Sequence, residues 1–220
     1  KVFAGPVVPA AVRWLINTVF MAVVSMFLTC FTAAMAGYAL AKKRFIGRSV
    51  VFTLIVCAMA LPKQVILIPL LREMSALKLY NTIWAVIFPI VGWPFGIFLI
   101  KQFAEGIPTE MMEAAKIDGA NEWKTFVSVA YPMIKPGVGA LAIFTFINSW
   151  NEYVWPVLIL KSKENYTLSL ALQMYISAEG GTNFPVAMAV SVMTMSIPLI
   201  LYLIFQRQII DTFAMSGIKG

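Results

Sequence analysis

Two groups of residues have types and spacings suited to chemistry, and in both the chemistry is binding, not bond-breaking. The first is the charge-dense stretch Ile107-Pro108-Thr109-Glu110-Met111-Met112-Glu113-Ala114-Ala115-Lys116-Ile117-Asp118-Gly119-Ala120-Asn121-Glu122-Trp123-Lys124. The second is Thr145, Asn148, Asn151, Glu152 and Trp155, whose spacing puts them on one face if the segment is a single helix. Amides and a carboxylate in such a row can hydrogen-bond a polar ligand or a partner helix. Catalysis has little to rest on: there is no His, no nucleophile with an attendant base, and no G-x-x-x-x-G-K-[ST] phosphate loop. Cys30 and Cys57 sit in apolar runs without metal-ligand spacing and are expected to be buried free thiols. Neither an enzyme nor a bound cofactor or metal is expected.

The first group must be held by helices. Pro108 suits a helix's opening turn, where its missing N–H is not needed, and Glu110 and Glu113 then fall where the dipole favours negative charge. Gly119 can supply the left-handed residue that closes the helix, and Asn121 can cap a second short helix through Trp123 and Phe126, expected to stop at Pro132. This pair is no DNA reader, because the second helix offers only Lys124 as a cation.

The surroundings are oily. Of 220 residues, 60% are hydrophobic and 12% charged, about half the charged share of a soluble domain, and mean hydropathy is +0.84. Five runs are each long enough to cross a bilayer: 14–41, 50–71, 82–100, 137–160 and 184–205. The net charge of +7 follows from Lys and Arg in loops and implies no nucleic acid. Lys42-Lys43-Arg44 with Arg48 marks the cytoplasmic side, which places the stretch 105–131 and the tail from Arg207 in the cytoplasm. The beginning Lys1-Val2-Phe3-Ala4-Gly5-Pro6, without Met or signal pattern, reads as a fragment's.

Several spans carry marks of packing or of a path. Ala33, Gly37 and Ala41 lie four apart and suit close helix approach. Pro62-Lys63-Gln64 and Pro69 interrupt the second span, where Lys63 either snorkels to the surface or lines a polar cavity, with Gln64 beside it. Pro89, Gly92, Trp93, Pro94 and Gly96 should kink the third. Glu152 is the one acidic residue read inside a span, about 23 Å along from Gly137, and is a candidate for the path together with Asn148, Asn151, Trp155 and Gln64. The alternatives are bonding to a partner helix or reach to outer water.

Glu113-Ala114-Ala115, Gly119, Val129, Tyr131 and Pro132 resemble the EAA loop of ABC importer permeases, E-A-A, three residues, G, nine residues, I, one residue, L-P. Val129 stands for Ile and Tyr131 for Leu. Ile107-Pro108, Ile117-Asp118-Gly119-Ala120, Phe126, Ile68-Pro69-Leu70, Trp150-Asn151-Glu152 with Trp155-Pro156, and the ending Ser216-Gly217-Ile218-Lys219-Gly220 are similar to the carbohydrate-uptake, maltose-type branch. That ending makes the C-terminus look complete.

The resemblance implies an all-α type I ABC importer transmembrane domain filling 1–220, with the family's first helix missing and five spans present. It implies a multi-pass permease of the bacterial inner membrane, paired with a second permease subunit, two cytoplasmic ATPase subunits that hold ATP and Mg, and an external sugar-binding protein. Glu113, Ala114, Ala115, Asp118, Gly119 and Ala120 would couple to the ATPase, with the small residues letting the helix seat deeply. The expected function is ATP-driven uptake of a mono- or oligosaccharide by alternating access. Alternatives are a non-sugar ABC permease, an ion-gradient transporter, and a membrane scaffold.

Overall fold

The computed structural model describes residues 7–176 and 184–217, and among these there is no strand. The helices are α1 (Val7–Lys42), α2 (Arg48–Met59), α3 (Lys63–Ala76), α4 (Trp84–Ile87), α5 (Pro94–Glu105), α6 (Thr109–Ile117), α7 (Glu122–Thr125), α8 (Tyr131–Asn151), α9 (Val154–Ile159), α10 (Leu168–Ile176) and α11 (Phe184–Gly217). Among the described residues, Ala11–Lys42, Glu122–Asn151 and Ala187–Ile204 are long and apolar enough to cross a bilayer. The number reaches the expected five if α2 with α3, and Trp84–Ile90 with α5, each form one broken span.

The breaks have local causes. Pro62 has no N–H and disfavours helical backbone before it, so α2 ends at Met59 and α3 begins at Lys63. Pro69 is carried inside α3. Gly92 takes φ +82° and Trp93 a non-helical φ −48°, ψ 119°, which sets Pro94 at the first position of α5.

Two expectations about helix ends are corrected. Pro132 does not stop the helix begun at Glu122. The chain passes through π turns at Phe126–Ala130 straight into α8, and their wider hydrogen-bond register accommodates a residue without a donor. Nor is 137–160 one helix. α8 ends at Asn151, Glu152 and Tyr153 are non-helical, and α9 restarts at Val154 after Tyr153 at φ −124°, ψ −45°. The premise that Thr145, Asn148, Asn151, Glu152 and Trp155 share one helical face therefore fails at Glu152.

By contacts the chain divides into two compact units, one from Lys1–Met26, Lys63–Ile90 and Thr145–Arg207, the other from Phe27–Pro62, Val91–Phe144 and Gln208–Gly220. In the first, Trp14, Ala22, Trp150, Leu168, Ala171 and Val190 form a buried cluster. Their indoles do not waste donors, since Trp14 Nε1–H reaches Lys163 O at 2.8 Å and Trp150 Nε1–H reaches Thr194 O at 2.9 Å. Thr18 Oγ1 accepts the Leu168 N–H at 2.8 Å and ties the start of α10 to α1. Asn81, at φ 62°, accepts the N–H groups of Lys161 and Ser162 on its Oδ1 at 2.8 and 2.9 Å.

In the second unit, small residues do the packing work expected of them. A Cβ on Gly37 would stand 2.8 Å from Lys101 N and 2.9 Å from Ile100 Cβ, and one on Gly96 would touch Leu141 and Ala33. Lys101 is buried, bonded to Glu105 at 2.5 Å and seated 4.1 Å from the centre of the Phe52 ring. Cys30 is buried as expected, but Cys57 is exposed, because it lies on α2, a helix with no buried residue.

Candidate coupling surface and polar break

The candidate coupling stretch is built from α6, α7 and the turn between them. α6 begins at Thr109, so Pro108 is its extended N-cap and not a helical residue, one place earlier than its sequence suggested. Glu110 sits in the first turn, as the dipole favours. At the other end Gly119 has φ +79°. Its N–H bonds Lys116 O at 3.0 Å, and the Ala120 N–H bonds Ala115 O at 2.9 Å. These two bonds make the glycine-capped closure that satisfies α6's last carbonyls. Asn121 Oδ1 then accepts the Lys124 N–H at 2.8 Å and caps α7.

What anchors this piece is on its inner side. Ile107 and Met112 are buried, and Phe126 lies beneath, 5.1 Å from the Tyr38 ring centre. Lys42 Nζ donates to the carbonyls of Ile107 and Glu105 at 2.6 and 3.1 Å. Glu122 is held by Lys43, and by Lys116 at 3.2 Å.

The outer side is bare. Glu110, Glu113, Ala114, Asp118 and Gly119 are exposed, Ala115 and Ala120 are half-buried, and Met111 and Ile117 stand 47% and 86% exposed. An apolar residue that open, set among carboxylates and small side chains, forms a surface fit to be covered. Met112, by contrast, is covered by the chain itself. Nothing lies within 4 Å of a Cβ built on Gly119, so the position is constrained by its backbone and not by space.

Glu152 and Lys63 meet at the break between α8 and α9. Glu152 is 19% exposed, accepts the Trp155 N–H at 3.4 Å on Oε1, and pairs through Oε2 with Lys63 Nζ at 3.6 Å. Lys63, whose role the sequence left open, is thus a partner of the only acid read inside a span. Asn151 is exposed and donates to Ile147 O at 3.0 Å; Asn148 and Gln64 are also exposed. Trp155 is not on this surface. It is 5% exposed, and its Nε1–H is used by Ala85 O at 2.9 Å, because a buried indole needs an acceptor. Sequence reasoning passed over Ala85, whose carbonyl lacks a helical donor because Pro89, four residues on, has no N–H.

Residues 32–212 match the family model described as "Binding-protein-dependent transport system inner membrane component". The chain belongs to that family. This makes it a multi-pass membrane permease, and the helical spans above are those of its transmembrane domain. The arabinooligosaccharides transport system permease protein AraQ of Halalkalibacterium halodurans is 36% identical, covering 94% of this chain and 74% of its own. The diacetylchitobiose uptake system permease protein NgcG of Streptomyces coelicolor is 30% identical, over 90% of this chain and 66% of its own. Among solved structures, a bacterial ABC transporter involved in import of the acidic polysaccharide alginate superposes with TM-score 0.82 at 25% identity, covering 94% of this chain and 76% of that one.

Proposed function

We propose that this chain is the permease subunit of an ATP-driven, binding-protein-dependent importer of a mono- or oligosaccharide in a bacterial inner membrane. It pairs with a second permease subunit, most simply as a heterodimer, and takes cargo from an external sugar-binding protein. ATP and Mg belong to two ATPase subunits on the cytoplasmic side, and this chain performs no hydrolysis itself. The sugar reading is supported by the arabinooligosaccharide and diacetylchitobiose permeases among its relatives.

The observation that carries the coupling role is the bare face of α6, with Glu113, Ala114 and Gly119 outward and the inner side bolted down by Lys42 and Lys43. A small-residue helix held in this way enters a groove on the ATPase, and closure of the ATPase dimer pulls on it. Asn148, Asn151 and Glu152 with Gln64 are the groups offered to sugar hydroxyls, while Trp155 positions the break that presents them. The test uses the assembled transporter. Glu113→Arg or Gly119→Trp should abolish uptake and cargo-stimulated ATP hydrolysis while membrane insertion stays normal. Unchanged stimulation in a correctly assembled complex would reject coupling through α6, and uptake driven by an ion gradient without any ATPase would reject the importer class.

A further inference from the structure

The turn between α1 and α2 has a composition that neither packing nor coupling absorbs. Arg44, Phe45, Gly47, Arg48, Ser49 and Val50 line an open cleft of about 410 Å³. Of the four cations in Lys42–Arg48, three have work inside the protein. Lys42 donates to two carbonyls, Lys43 bonds Glu122, and Arg48 donates to Ala41 O at 3.2 Å and Lys43 O at 3.4 Å, capping the end of α1. Arg44 is exposed and, among the described residues, has no ion-pair partner.

Glu122, held by Lys43 and Lys116, is the carboxylate that reaches this turn, and Arg44 makes no ion pair among the described residues. No Asp or Glu precedes Glu73 in the sequence, and the first turn of α2 carries none. Arg48 keeps guanidinium donors beyond the two it spends on α1. Beside the arginines the surface is apolar: Ile46 is fully exposed at 105%, with Phe45 at 46% and Val50 at 62%. Two guanidiniums alone would suit any phosphate. A bare isoleucine at the tip of a turn between two apolar helices suits a phosphate that carries acyl chains.

We propose that this turn binds the headgroup of an anionic phospholipid. Arg44 and Arg48 take the phosphate oxygens, for which the planar guanidinium fork is well shaped, and Phe45 and Val50 of the cleft, with the exposed Ile46 between them in sequence, rest against the glycerol and upper acyl region. The occupant is a lipid and not free phosphate, because only the lipid covers the apolar rim.

The transporter, purified in detergent with the subunits it assembles with and stripped of lipid, is titrated with phosphatidylglycerol and scored by native mass spectrometry. Arg44→Gln should weaken phosphatidylglycerol retention about fivefold, the value of one cation at an anionic surface. Phosphatidylcholine should be held weakly by both proteins, and Arg72→Gln, remote in sequence, should leave retention unchanged. Ile46→Asn, which leaves both arginines in place, should also weaken retention. Equal retention by the parent and Arg44→Gln proteins, equal binding of phosphatidylcholine, or an equal loss in Arg72→Gln would overturn the site. Displacement of phosphatidylglycerol by equimolar inorganic phosphate would make the occupant a free anion. Loss of copurifying ATPase in Arg44→Gln, with lipid retention intact, would make it a protein contact. Retention is read without transport, so its failure is separable from failure of the importer reading.

Discussion

The indole N–H of Trp155 meets the carbonyl of Ala85 at 2.9 Å, joining α9 to α4 across 70 residues of sequence. This bond sits behind Glu152, whose Oε1 accepts the Trp155 backbone N–H, so the tryptophan fixes both the restart of the helix and the aim of the carboxylate. Trp155→Phe keeps most of the ring and strands a buried carbonyl. Thermal unfolding in detergent should show a loss of about 1–3 kcal/mol. Trp155→Ala adds a cavity and should cost about 3–5 kcal/mol. Equal melting of parent and Trp155→Phe proteins would show that the bond carries no stability.

Glu152 and Lys63 should separate by function and not by stability. Lys63 is 68% exposed at its side chain, so Lys63→Gln should change stability by at most about 1 kcal/mol. Glu152→Gln keeps the shape and an acceptor but removes the charge. If Glu152 holds cargo, uptake should fall about tenfold or more, as for a charge-assisted hydrogen bond, with assembly and basal ATP hydrolysis unchanged. Uptake at the parent rate would remove Glu152 from the path.

Gly37 leaves no room for a side chain. With Lys101 N at 2.8 Å from its would-be Cβ, the obstacle is backbone and cannot rotate away. Gly37→Val should cost about 1–3 kcal/mol by overpacking and push α1 off α5, measurable as a lower melting point and easier proteolysis of the unit. Gly47→Ala, where nothing lies within 4 Å, is the contrast: its cost should come from φ +85° alone, about 1–2 kcal/mol.

Asn81 holds a loop with five hydrogen bonds around one residue, one of them from its own N–H to Ile159 O at 3.0 Å. Besides the two N–H groups on Oδ1, its Nδ2 donates to Ser162 Oγ at 2.7 Å and its carbonyl accepts from Asn165 Nδ2 at 2.5 Å. Asn81→Gly preserves the left-handed backbone and the carbonyl but loses the side-chain bonds. Amide exchange at Lys161 and Ser162 should then accelerate selectively, about tenfold for each 1.4 kcal/mol of protection lost. Unchanged exchange at those two amides would show that the loop stands without the asparagine.

Where local chemistry decides, the sequence is readable. Gly119 and Asn121 declare a helix end and a helix start within three residues, and both take those roles at the expected atoms. Ala33 and Gly37 announce close packing because nothing but a backbone benefits from their size. Where distant partners decide, it is not. The end of α8 at Asn151 has no breaker at the break itself: the mark stands four residues past Glu152, where Pro156 withholds the N–H that the Glu152 carbonyl would need, and Lys63 and Trp155 then hold Glu152 outside the helix. Pro132 misled in the opposite direction, because the π turns before it absorb a breaker that usually ends a helix. Glu152 could be singled out by its charge, but its partner Lys63, 89 positions earlier, could not be matched to it by spacing.

The turn at Gly119 has a consequence for what chemistry could replace it. Beyond its two chain neighbours, no atom among the described residues lies within 4 Å of an L Cβ built there, yet φ is +79°, so an L side chain is opposed by the backbone angle and not by bulk. A residue of the opposite hand is at ease at that angle. D-alanine placed at 119 by peptide ligation should escape the backbone strain, whereas L-alanine should lose about 1–2 kcal/mol. A mirror-image methyl thereby becomes a ruler for the partner's groove: if D-alanine preserves folding but stops uptake, what excludes it is the surface that α6 enters.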